Sequence, residues 1–187
     1  MRTAKVLILV LALTLFAPFT LSAEEKPPAQ NQPAASTTLQ PEGCATVEVN
    51  YDLAPASMAK GYDFFSTDIS KWISQAIPRT KGGAVRKEVC WFKFNQSYTS
   101  KKAKAKIEAS GGFKVANLWE LHSLGQARPD LQREFSVVAL GSRRRRLDGG
   151  VAEPVLDESR AKRRLIFVWW NPTNPWGSVF RFAAVRK

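Results

Sequence analysis

The side chains of this sequence best suited to acid–base chemistry are a lone histidine and a nearby carboxylate. His122 is the only histidine, and Glu120 precedes it by two residues. On a strand the two side chains would share one face. A carboxylate base, a histidine acid and a nearby arginine such as Arg128 would suit cleavage of a phosphodiester. Glu120 and His122 are therefore the candidate catalytic pair, and the alternative is a surface histidine at the end of a strand.

Four adjacent arginines form the densest positive charge in the chain, at Arg143, Arg144, Arg145 and Arg146. Guanidinium groups bind phosphate through paired hydrogen bonds, so the block is a candidate anion-binding site. Blocks of like charge are also typical of solvated, mobile loops that bind nothing specific. Both readings stay open.

A second basic pattern lies between residues 102 and 109, where Lys102, Lys104 and Lys106 alternate with apolar residues. Alternation predicts a strand with three ammonium groups on one side. Such a row could bind a polyanion, or protect a sheet edge from aggregation.

Trp176 follows the turn-forming stretch 171–175 and is the candidate aromatic binding residue. An exposed indole can stack on a sugar ring or a nucleobase. The alternative is an ordinary place in the core.

The two cysteines, Cys44 and Cys90, predict one disulfide if the chain enters an oxidising compartment. Buried, reduced thiols are the alternative. Zinc sites need several Cys and His ligands at short spacing, so the sequence predicts no metal site, and no motif in it predicts a cofactor.

The first 23 residues have the pattern of a secretory signal peptide. Arg2 and Lys5 precede an apolar run, and Ala23 closes the segment before Glu24. The chain is therefore expected to be exported, to the periplasm or outside the cell. No later segment has the apolar length of a membrane span.

Residues 24–42 are rich in Pro, Gln, Ser and Thr, and we expect a disordered tether. Residues 43–187 have the length of a single domain. Alternating or apolar runs predict strands at 45–53, 85–95, 102–109, 113–121, 134–140, 164–170 and 178–185. Spacing of apolar residues predicts one early helix over 68–77, and residues 142–162 read as a flexible basic loop. The expected fold is α+β, a mainly antiparallel sheet of about six strands with one N-terminal helix packed on it.

The formal charge of the chain is +12, which becomes +10 without the two basic residues of the signal peptide. Such a surface attracts anions. The leading hypothesis is an exported, non-enzymatic protein that binds a polyanionic or glycan partner: an anionic envelope polymer, a glycan or extracellular nucleic acid. The alternatives are a secreted nuclease-like hydrolase using Glu120 and His122, and an inhibitor or secretion accessory protein with a protein partner.

Overall fold

The computed structural model describes residues 39–66, 82–145 and 149–187. Within these ranges nine strands form one sheet, accompanied by three short helices and a 3-10 turn at Pro55–Ala59. The strands are β1 Gly43–Asn50, β2 Phe64–Phe65, β3 Ala84–Lys93, β4 Phe113–Val115, β5 Val137–Val138, β6 Arg144–Arg145, β7 Val151–Ser159, β8 Lys162–Trp170 and β9 Arg181–Arg186. The helices are α1 Ser100–Ala109, α2 Leu118–Ala127 and α3 Leu131–Glu134.

The sheet is mixed, in the order β1-β3-β9-β5-β7-β8-β2, with β4 on β9 and β6 on β7. Two neighbouring pairs are parallel, β2 with β8 and β5 with β9. The expected six-stranded, mainly antiparallel sheet with one N-terminal helix is therefore wrong. The chain passes through β6, β7 and β8 between β5 and β9, so this parallel pair joins strands that are distant in sequence and could not be predicted from neighbouring segments.

The alternating segment near the start of the domain forms β1, as predicted. Val47 and Val49 are buried, while the alternate residues Thr46, Glu48 and Asn50 are exposed. β1 pairs with β3 in a register that places Cys44 directly opposite Cys90. The two cysteines form a disulfide, which ties edge strand β1 to the sheet.

The alternating lysine segment forms helix α1 rather than the predicted strand. Thr99 caps the helix, since its side chain accepts a hydrogen bond from the backbone N–H of Lys102 at 3.3 Å. Ala103 and Ile107 lie four residues apart and are both buried. Four-residue spacing belongs to a helix face, and the short alanine side chain is tolerated at exposed positions between them.

The predicted strand over 113–121 ends at Val115, and helix α2 begins at Leu118. A capping box starts this helix. The Asn117 side chain accepts from the Glu120 backbone N–H, and the Glu120 carboxylate accepts from the Asn117 backbone N–H. Two of the otherwise unpaired N–H groups at the helix start are thereby satisfied.

The segment 142–162, predicted to be a loop, contains β6 and β7. β7 pairs along its whole length with β8. The predicted strand over 164–170 is present as β8, which lies between β7 and the two-residue edge strand β2. Its apolar side chains are mostly half-buried rather than fully buried.

Each face of the sheet packs against one of the longer helices. The α2 face buries one apolar cluster that includes Val49, Val89, Leu121, Trp119 and Leu165. The α1 face buries a second cluster that includes Phe92, Phe182, Ile107, Phe113 and Trp176. Because successive strand residues alternate between faces, each β8 or β3 residue can be assigned to one of them.

The signal peptide, most of the tether, the helix predicted over 68–77 and Arg146 lie outside the described residues. Of the tether, residues 39–42 are described, and they contact the domain: Leu39 packs against the cluster on the α1 face, and the Glu42 backbone N–H donates to the Trp91 carbonyl at 2.8 Å. Within the described ranges no helix combines the length and the apolar character that crossing a bilayer requires.

Candidate functional site

Arg143 and Trp176, both predicted to bind a ligand, are brought together by one buried hydrogen-bond network. The Trp176 indole Nε1–H donates to Ser100 Oγ at 2.8 Å, and Ser100 Oγ donates to Glu153 Oε2 at 2.7 Å. Arg143 donates to Glu153 Oε1 through Nε at 2.9 Å and Nη2 at 2.6 Å. Glu153 is fully buried, so the paired guanidinium is what compensates its charge. The network links β7, α1 and the two loops that carry Arg143 and Trp176.

Trp176 is a core residue, with 1% of its surface exposed. Its ring stacks on Trp170 at a centroid separation of 4.6 Å, and Phe180 meets it edge-on. The expectation of a surface indole ready to stack on a sugar or base does not fit this position. The turn before Trp176 is exposed, but the indole itself points into the α1-face cluster.

The arginine block is divided among different environments. Arg143 binds Glu153, Arg144 is half-buried in β6, and Arg145 is exposed. Arg146 lies outside the described residues. The first arginine of the block is therefore bound within the fold by Glu153, while Arg145 is exposed to solvent.

Glu120 and His122 lie on helix α2, not on a strand. Two residues apart on a helix, they point about 200° apart around the axis. Both Glu120 oxygens are engaged, Oε1 by the Tyr51 hydroxyl at 2.7 Å and Oε2 by the helix cap. The pair therefore does not converge as a phosphodiesterase site would require.

His122 is 8% exposed and packs beside the Tyr62 ring at a centroid distance of 5.7 Å. Its Nδ1 is buried without a hydrogen-bond partner among the described groups. Burial lowers the pKa of His122 to about 4. The ring is therefore neutral at pH 7 and does not carry the proton that a general acid must supply.

Most of the other described arginines are also held by the fold. Arg164 binds both oxygens of Asp157, Arg128 binds Asp130, Arg181 binds Glu42, and Arg186 binds Glu88. Arg163 donates to two backbone carbonyls, those of Gly61 and Gly125. These contacts hold strand ends and a helix end in place, and the charges of the four arginines that bind a carboxylate are compensated there.

The lysines of α1 are placed differently. Lys101, Lys102, Lys104 and Lys106 are all exposed, and we call them the lysine face of α1. Lys104 makes an exposed ion pair with Glu108 at 3.8 Å. The other three have no carboxylate within 4.0 Å in the described part of the chain. Positions four apart on a helix are neighbours about 6 Å from each other, so Lys102 and Lys106 form one edge of a compact cationic surface.

Comparison with known proteins finds no matching family model, no similar curated protein and no similar solved structure. The site must accordingly be judged from its own geometry.

One cluster of three potential metal ligands occurs among the described residues, formed by Cys44, Glu88 and Cys90. Both sulfurs belong to the disulfide and Glu88 binds Arg186. A disulfide sulfur is a poor substitute for the thiolate that metals prefer, so this cluster is not a metal centre.

The α1 lysines were candidate ligand-binding residues, but they lie on a helix and not on the predicted strand. Thr99, two residues before Lys101, was the available signal for a helix start. As a helix the segment spreads its cations over a solvent-facing surface instead of lining them along a sheet edge. The partners of Arg181 and Arg186 could not be found from spacing, because Glu42 and Glu88 are 139 and 98 residues away from them in the sequence.

Proposed function

We propose that the protein is exported and binds an anionic polymer of the cell envelope through the lysine face of α1, without catalysing a reaction. The observation that supports this most is the density of exposed charge on α1. Lys101, Lys102, Lys104 and Lys106 lie within six residues of one helix, and three of them have no acidic partner among the described residues. Ammonium groups left in solvent are available for a partner's anions.

A linear polyanion fits this surface better than a single small anion. The lysine face is convex, since it covers the outer side of a helix, and each exposed ion pair is worth only about 0.2–1 kcal/mol. Several such contacts made by one chain add up through multivalency and counterion release. Affinity of this kind falls steeply as salt rises.

Export is supported by the signal-peptide pattern and by the disulfide, which is compatible with an oxidising compartment. The expected mature protein begins at Glu24 and contains no free thiol. Mass spectrometry of the protein from fractionated cells tests this. A cytosolic product that retains the leader and has two free sulfhydryls would contradict it.

Binding is tested by retention on immobilised heparin as the salt concentration rises. In the variant Lys101→Gln/Lys102→Gln/Lys106→Gln we expect elution at clearly lower salt, because Gln keeps the helix propensity of Lys and removes three charges. Each lost contact should reduce the slope of log affinity against log salt by about 0.7–0.9.

A matched control removes three exposed lysines elsewhere, with Lys93, Lys114 and Lys187 replaced by Gln. Lys93 and Lys114 are on the α2 face by strand alternation, since their neighbours Phe92 and Phe113 lie in the α1-face cluster. This variant has the same net charge as the α1 variant and should elute close to the wild type. Equal losses in the two variants would mean that net charge alone drives retention, and the proposed site would be wrong.

A further inference from the structure

A second cationic feature lies at the opposite end of β8 from Trp170 and belongs to no part of the lysine face. It is a surface cavity of about 400 Å³ at the turn between β7 and β8. Its lining residues are Phe64, Ser159, Arg160, Lys162 and Arg164. A volume of this size is typical of small-molecule sites.

The register of the sheet explains why these side chains converge. Phe64 pairs with Arg164 across the parallel β2–β8 ladder, and Ser159 pairs with Lys162 across the hairpin. Phe65 and Leu165 belong to the α2-face cluster, so their neighbours Phe64 and Arg164 point to the other face. Lys162 is two residues before Arg164 and shares that face, about 7 Å away.

The turn itself holds Arg160 beside the cavity in an unusual backbone conformation. Arg160 and Ala161 have φ angles of 54° and 60°, the left-handed region that Gly or Asn normally occupies in a two-residue hairpin. An arginine there is conformationally unfavourable, yet it brings a third guanidinium or ammonium group to the rim of the cavity.

The cavity combines positive charge with an accessible aromatic ring. Arg164 is compensated by Asp157, whose two oxygens it binds at 2.8 and 2.5 Å. Arg160 and Lys162 are exposed and have no acid within 4.0 Å in the described ranges, so the cavity keeps an excess of positive charge. Phe64 is 51% exposed, although large aromatic side chains are usually buried.

We propose that this cavity binds a small molecule in which an anionic group is attached to an aromatic ring. The anionic group meets Lys162 and Arg160, with the Ser159 hydroxyl as a further donor. The ring packs on Phe64, where an offset or edge-on contact removes apolar surface from water. Neither half of the ligand alone uses both features of the cavity.

The experiment is three separate titrations of the full mature protein, with phenyl phosphate, inorganic phosphate and phenol. Binding is monitored through the chemical shifts of the backbone amides. Phenyl phosphate should saturate a single site, with the largest shifts at residues 64 and 159–164. We expect it to bind about tenfold more tightly than either fragment, as the burial of one ring surface allows. Equal affinity for inorganic phosphate and phenyl phosphate would overturn the proposal.

Two variants and a control locate the site. Phe64→Ala should weaken phenyl phosphate about tenfold and leave inorganic phosphate unchanged, whereas Lys162→Gln should weaken both anions about threefold. Lys114→Gln removes an equal charge at a distant exposed position and should change neither. If Phe64→Ala does not fold, the site is tested by comparing the phenyl phosphate affinities of Lys162→Gln and Lys114→Gln. Equal effects of these two lysine variants would refute the site.

This proposal is independent of the polymer-binding one. The α1 triple variant should bind phenyl phosphate with the affinity of the wild type. Lys162→Gln should elute from heparin at a salt concentration lowered only by the amount that the loss of one charge explains. Binding of phenyl phosphate without binding of heparin would disprove the proposed function and support the cavity as a ligand site. Binding of heparin without binding of phenyl phosphate would support the proposed function and overturn the cavity proposal.

Discussion

Removing Arg143 should destabilise the protein much more than removing Arg145, two residues away. The variant Arg143→Met keeps the aliphatic part of the side chain and deletes both hydrogen bonds to Glu153 Oε1. Glu153 is fully buried, so the variant leaves a buried carboxylate without its guanidinium partner, while the hydrogen bond from the Ser100 hydroxyl remains. An arginine block would otherwise be expected to tolerate the loss of one member.

The magnitude follows from the burial of the two partners. Breaking a buried ion pair by removing one side costs about 3–5 kcal/mol. The Arg143 side chain is 27% exposed, so water can partly replace the guanidinium. We therefore expect a loss of about 2–3 kcal/mol in the free energy of unfolding. Arg145 is exposed, and Arg145→Met should change it by no more than about 0.5 kcal/mol.

Urea unfolding followed by tryptophan fluorescence measures both variants. With a slope near 2 kcal/mol per molar urea, the Arg143→Met midpoint should fall by about 1–1.5 M. Adding Glu153→Gln to Arg143→Met should recover part of the loss, because a neutral amide is easier to bury than an uncompensated carboxylate. Equal midpoints for the two arginine variants, or no recovery in the double variant, would refute this account of the network.

Three further effects on stability follow. Replacing Cys44 and Cys90 by Ser should lower the free energy of unfolding by about 4 kcal/mol, because the disulfide spans 46 residues and ties edge strand β1 to β3. Urea unfolding should show the same loss of stability in the wild type when dithiothreitol reduces its disulfide. Ala161→Gly should raise stability by about 1 kcal/mol and the Tm by about 2–4 °C in calorimetry, since φ is 60° there, and an unchanged or lower Tm would contradict this. Burial lowers the pKa of His122 from 6.5 to about 4 in the folded protein. Between these two pH values the unfolded chain binds a proton at His122 and the folded chain does not, so the free energy of unfolding falls as pH falls through this window. The decrease in the free energy of unfolding from pH 7 to pH 5 should be about 2 kcal/mol larger in the wild type than in His122→Gln, and urea unfolding at the two pH values measures it. Equal decreases in the two proteins would mean that the pKa of His122 is not lowered by burial.

The parts of the fold that the sequence predicted correctly are those with a single dominant local pattern. β1 alternates strictly, β3 and β8 are rich in aromatic and β-branched residues, and the two cysteines had one possible partner each. In each case the local pattern and the tertiary environment agree, so one period was enough to predict the element.

The errors arose where the same residues fit two periods. In α1, alternating Lys and Ala satisfied a strand, while the spacing of Ala103 and Ile107 satisfied a helix. Alanine is small enough to be compatible with either side of an element, so only the Thr99 cap distinguished the two. In the same way, Asn117 and Glu120 formed a capping box that marked the start of α2.

β7 was missed because its sequence contains Glu153 and Pro154, which argue against a central strand. The buried acid is tolerated only because Arg143, Ser100 and the surrounding strands meet around it, and that meeting depends on the tertiary fold. Arg143 and Trp176 were predicted to bind a ligand, and their contacts inside the fold could not be predicted from the sequence for the same reason. Both side chains are rich in binding chemistry, and here the fold uses that chemistry internally.

Binding of an anionic polymer to the lysine face of α1 can be located residue by residue, by recording backbone amide chemical shifts during titration with a heparin-derived hexasaccharide. We expect the largest saturable shifts at residues 101–108, and we expect these shifts to shrink when salt is raised from about 50 to 200 mM. Shifts concentrated on another surface, or spread evenly over the exposed cations, would contradict it.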